Sequence, residues 1–140
     1  MDINEWNRLD KEKQSNIIRN QKLSIEFIEQ IWNTLTKEQR TLICIYQGLN
    51  IKFIEQIWDS LNEKQRSKVC IYQKLNIEFM EQIWSQLNEY QRDNICLYQE
   101  LPIKFIKKIW NKLTIPQRYT IQNKDPLTKF VTYSLEEKGE

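Results

Sequence analysis

Shifting the chain against itself by 26 residues brings four tryptophans into register: Trp32, Trp58, Trp84 and Trp110. The same shift aligns Phe27, Phe53, Phe79 and Phe105, and Leu35, Leu61, Leu87 and Leu113. Gln39-Arg40 recurs as Gln65-Arg66, Gln91-Arg92 and Gln117-Arg118, and Tyr46-Gln47 as Tyr72-Gln73 and Tyr98-Gln99. Trp6 and Leu9 fall into the same register. The chain therefore holds one shortened leading copy and four near-full ones, at 1–22, 23–48, 49–74, 75–100 and 101–125. A period of this length means a stack of small supersecondary units, each too small to bury its own apolar face.

Each copy reads as two short helices. After a cap at Ser24, the residues Phe27, Ile28, Ile31, Trp32 and Leu35 fall on one side of a helix, while Glu26, Glu29, Gln30 and Asn33 fall on the other. Asn50 and Asn76 repeat the cap, and Pro102 suits a first helical turn. Thr36-Lys37-Glu38-Gln39 is a capping-box pattern that starts a second helix, and Asn62, Asn88 and Thr114 repeat it. That second helix carries Ile43, Cys44, Ile45 and Tyr46, with apolar groups on several sides, so it is expected between neighbouring hairpins. The sequence predicts an all-α fold: a right-handed-type α-solenoid of five stacked hairpins over residues 1–125, the first truncated. Asp125-Pro126 starts a predicted C-terminal capping helix, whose apolar side is Leu127, Phe130, Val131 and Leu135, before a polar tail to residue 140.

Composition limits the chemistry. Among the 140 residues there is no His and there are only two Gly. Lacking His, the chain has no Ser-His or Cys-His nucleophile pair and none of the commonest metal ligand. Two glycines are too few for a Gly-rich phosphate cradle. Cys44, Cys70 and Cys96 occupy one repeat position, about 10 Å apart if hairpins pack at ordinary helix spacing, too far for a disulfide. They read as small buried thiols in a reducing compartment. No acidic pair stands out as an acid/base couple. The expectation is a protein that is not an enzyme, with no catalytic residue, cofactor or metal. The N-terminal residues lack the basic and apolar regions of a signal peptide, and no apolar run reaches membrane-spanning length, so the expected location is cytoplasmic, away from membranes.

Charge supplies the binding candidates. The ladder Arg40, Arg66, Arg92 and Arg118 has two readings: braces for helix C-terminal carbonyls, or a row of guanidinium groups for an anionic partner. Glu29, Glu55 and Glu81 form either a solvated face or an acidic ridge. Copy 75–100 has five acids against Arg92, a net of −4, while copy 101–125 has six cations against Asp125, a net of +5. Lys104, Lys107, Lys108 and Lys112 share the outer side of that last copy's first helix. In repeat proteins the in-register residues hold the stack, and the residues that differ between copies are free to read a partner. Here these are Glu38, Lys64 and Tyr90; Thr41, Ser67, Asp93 and Tyr119; and Leu42, Lys68, Asn94 and Thr120.

Leu23-Ser24-Ile25-Glu26-Phe27-Ile28, closed by Tyr46-Gln47 and reopened by Leu49-Asn50-Ile51-Lys52-Phe53-Ile54, resembles the tandem helical-hairpin repeats (L-S-x-x-F-I … Y-Q) of virus- and phage-encoded proteins. The resemblance covers residues 23–105 and implies an α-solenoid of viral or phage origin. The expected function is a non-catalytic protein-binding module, whose most specific form is a stoichiometric inhibitor of a host defence nuclease, as anti-CRISPR proteins are. The alternative is a nucleic-acid binder using the Arg ladder and the C-terminal lysines. Self-association through an end of the stack is a further expectation.

Overall fold

A computed structural model describes residues 1–124, and all of its secondary structure is helical. Each copy forms two helices: α1 (Ile3–Arg8) and α2 (Lys11–Asn20), α3 (Ile25–Ile31) and α4 (Lys37–Tyr46), α5 (Ile51–Ile57) and α6 (Glu63–Tyr72), α7 (Ile77–Ile83) and α8 (Glu89–Tyr98), α9 (Ile103–Ile109) and α10 (Ile115–Lys124). The fold is an all-α helical repeat. The predicted capping helix at 126–140 lies outside the described residues.

Local chemistry sets the boundaries. Ser24, Asn50 and Asn76 accept the backbone N–H three residues on, capping α3, α5 and α7. Pro102 stands one residue earlier than expected, at the N-cap of α9, which therefore has no side-chain cap. The first helices do not run on as α-helix to Leu35. They tighten into 3-10 turns at Trp32–Thr34 and its equivalents, closed by a bond from Leu35 N to the Trp32 carbonyl. The capping boxes of α4, α6 and α8 are complete in both directions. The same reciprocal pair joins Thr114 and Gln117 at α10. Helix ends use extended C-caps, such as Gln47 at φ −104°, so these turns have no need of glycine.

The chain divides into two compact units at a boundary between copies, after Lys74. In the first, α4 packs between α2 and α6, and α1 packs on α3. Edge-on aromatic contacts link successive hairpins, Trp6 to Phe27 and Trp32 to Phe53, both with ring centroids 5.6 Å apart. In the second, α8 packs against α10 and Trp84 meets Phe105 at 6.1 Å.

Buried glutamines add polar joints. Gln47 donates to the carbonyls of Ile18 and Gln21, both at 2.7 Å, and accepts from Leu23 N at 2.9 Å. Gln73 repeats all three bonds one copy later, to Cys44, Gln47 and Leu49. Each glutamine thus satisfies the last carbonyls of the preceding second helix, which otherwise have no partner within that helix. In the second unit Lys124 takes over the donor half, its ammonium binding the carbonyls of Cys96 and Gln99. Burial lowers the pKa of that ammonium.

The second helices are less apolar around their circumference than expected. Ile43 and Cys44 are buried and Ile45 half-buried, but Tyr46 is 53% exposed, as its equivalents Tyr72 and Tyr98 nearly match. Tyr and Gln are neighbours about 100° apart on the helix, so one faces water while the other clamps the adjoining turn.

Candidate partner-binding surfaces

The arginine ladder is committed to the framework. Arg40 Nε donates to the Trp32 carbonyl at 3.1 Å, and its guanidinium lies 5.0 Å from the centroid of that indole. Arg66 on Trp58, Arg92 on Trp84 and Arg118 on Trp110 repeat the arrangement. In the leading copy the equivalent position holds Gln14, which donates to the Trp6 carbonyl at 2.9 Å. A neutral side chain making the same bond shows what the position is for: it binds the C-terminal carbonyl of the first helix. The partner row Gln39, Gln65 and Gln117 also joins hairpins, to the Lys11 and Lys37 carbonyls and to the Asp93 carboxylate.

The residues that differ between copies behave otherwise. In the first unit Glu38, Thr41, Leu42, Lys64 and Lys68 line one groove of about 530 Å³ across the second helices. Ser15 and Arg19 of α2 supply one wall, Ile45 of α4 extends the floor with Lys37 at its rim, and Asn62, the cap of α6, completes the other wall. Arg19, Lys37, Lys64 and Lys68 oppose a lone acid, Glu38. Leu42, Ile45 and Lys68 are half-buried, whereas Arg19, Lys37 and Lys64 are exposed. The groove is basic at its rim and apolar along part of its floor.

The same positions in the second unit carry a different surface. Tyr90 and Tyr119 are 60% and 64% exposed, and Ile115 is 81% exposed where the other copies have Lys37, Glu63 and Glu89. Asp93 stands among them and accepts from Gln117 at 2.9 Å. Asn94, one of the expected contact residues, is instead buried away from the surface. It is 93% buried by its 7% exposure, and its Nδ2 has no hydrogen-bond partner.

On the first helices, Glu29, Glu55 and Glu81 are all exposed. Glu29 borders a shallower recess of about 350 Å³, with Asn33, Gln56 and Ser60, over the edges of Trp32 and Phe53. Of the four lysines, Lys108 pairs with Glu81 at 3.0 Å, while Lys104, Lys107 and Lys112 are exposed. That pair joins the −4 copy to the +5 copy. The three cysteines are buried free thiols, their pKa values pushed up to about 12 by burial, which makes them poor nucleophiles near neutrality. Among the described residues, no three Cys, Asp or Glu side chains gather as a metal site, and no helix is long and apolar enough to cross a membrane.

Compared with known families, curated proteins and solved structures, the chain matches none. Its candidate surfaces rest on their own geometry. Sequence reasoning missed Arg19, Lys37 and Ile45 in the groove, and the individually exposed Tyr46, Tyr72 and Tyr98. The comparison between copies could find only residues that differ from one copy to the next. The tyrosines repeat unchanged through three copies; positions 37 (Lys37, Glu63, Glu89, Ile115) and 45 (Arg19, Ile45, Ile71, Leu97, Asn123) do differ, so the same comparison could have marked Lys37, Ile45 and Arg19.

Proposed function

We propose that this chain is a non-catalytic protein-binding module that reads its partner through the residues differing between copies on the second helices. The observation that carries the reading is the gathering of Glu38, Thr41, Leu42, Lys64 and Lys68 into one groove, while the in-register Arg and Gln residues are spent on helix ends. A surface with a fixed framework and interchangeable side chains is how repeat proteins present extended binding faces. A stoichiometric inhibitor of a host defence nuclease is the form suggested by the likeness to viral repeats. Full nuclease activity at several-fold molar excess of this protein overturns that form.

Affinity capture from host extract, run with and without added nuclease, tests the module reading. The expected result is a protein retained in near-stoichiometric amount after nuclease treatment. Recovery of nucleic acid alone, or of proteins that vanish with nuclease, would overturn it in favour of a nucleic-acid binder.

A further inference from the structure

The groove across α2, α4 and α6 has a chemistry that narrows the partner further, given the module reading on which this step rests. We infer that it holds an acidic amphipathic segment of a partner protein, with apolar side chains against Leu42 and Ile45 and carboxylates toward Arg19, Lys37, Lys64 and Lys68.

Its size, about 530 Å³, falls within the roughly 300–1,000 Å³ of ligand-binding clefts. Four cations against one acid set a positive potential, and complementary charge speeds encounter and fixes orientation. Charge alone does not describe the site. Leu42 and Ile45 form a half-buried apolar strip between the charged walls. A purely anionic chain would leave that strip wet, whereas a segment carrying both Leu- or Phe-like anchors and Glu or Asp covers it. Nucleic acid fits less well. The groove lining contains no aromatic side chain on which a base could stack. At Leu42 the apolar side chain is not required by the fold, because Lys68 stands at the equivalent position in the next copy.

Panning the full chain against a random 16-residue peptide library displayed on phage tests this. The expected winners combine acidic residues with large apolar ones, and their affinity weakens severalfold between 50 mM and 500 mM NaCl. Lys64→Glu with Lys68→Glu should weaken the selected peptide at least tenfold, and Leu42→Lys should weaken it severalfold, each with the helical circular dichroism signal retained. Winners lacking acidic residues, binding that survives the charge reversal, displacement by a single-stranded oligonucleotide at equal concentration, or no enrichment at all would each overturn the inference. A nuclease-resistant protein captured equally well by the charge-reversed chain would remove this inference while leaving the module reading in place.

Discussion

Asn94 shows how a position that varies between copies can be costly as well as informative. Its equivalents are Leu42, Lys68 and Thr120, all half-buried, yet Asn94 is buried with an amide nitrogen that has no partner. Leaving such a donor unsatisfied costs about 1–3 kcal/mol. Asn94→Leu, which copies the residue of another hairpin and keeps the number and branching of side-chain heavy atoms, should therefore raise stability by about 1 kcal/mol; an unchanged or lower urea midpoint would count against this account. The cysteines give a second residue-level test. In the folded chain burial holds each thiol near pKa 12, against an ordinary 9.0. Between those values the unfolded chain has lost protons that the folded one keeps, so the unfolded state binds fewer protons and stability falls as pH rises above about 9. Replacing all three by Val, a smaller relative of the Ile18 that fills this position in the leading copy, should flatten that alkaline loss. Urea midpoints at pH 8 and 10.5 for both chains decide it.

Helices of six to ten residues are too short to persist alone in water, so what holds each element is its ends and its apolar face. Gln73→Leu removes three hydrogen bonds and leaves the Cys44 and Gln47 carbonyls and the Leu49 N–H without their partner. That should cost about 2–4 kcal/mol, against about 0.5–2 kcal/mol for Asn62→Ala at a helix cap. Thermal or urea unfolding should rank them in that order. Arg66 and Lys64 provide the matching functional contrast on one helix. Arg66→Lys loses a fork that contacts both the Trp58 carbonyl and its indole, and should destabilise the chain by about 1–2 kcal/mol with little effect on a bound partner. Lys64→Glu should leave the midpoint within about 0.5 kcal/mol and weaken binding. Element-level structure was largely legible in the sequence, because a capping residue and an in-register Trp each act over three or four positions. What was not legible is direction. Gln39 and Gln47 both recur, both are buried, and both join hairpins; nothing in the spacing alone says that Tyr46 beside the latter faces solvent.

At the scale of the whole molecule, the groove needs walls from three successive copies, which is why no single copy betrays it. Comparing copies marked Lys64 and Lys68, but their meeting with Arg19 depends on how α2, α4 and α6 lie side by side. The repeat also makes the molecule separable in a way that an irregular domain is not, since stability in such stacks sums over hairpins and their nearest-neighbour interfaces. Deleting residues 49–74 joins Gly48 to Leu75 in register. Gln99 then stands one copy after Gln47, where Gln73 stood, and Leu75 replaces Leu49. The deletion removes Asn62, Lys64 and Lys68, the far wall of the groove, and Tyr90 takes the position of Lys64. The shortened chain should keep a cooperative helical unfolding transition at lower stability and lose affinity for an acidic amphipathic peptide. A deletion of 49–61, half a copy, instead joins one second helix directly to another and places every later residue out of register, so it should not fold. Circular dichroism melts of the two deletions separate these outcomes. Equal collapse of both would show that the copies are not interchangeable units. Retained peptide binding by the folded one would place the binding surface elsewhere.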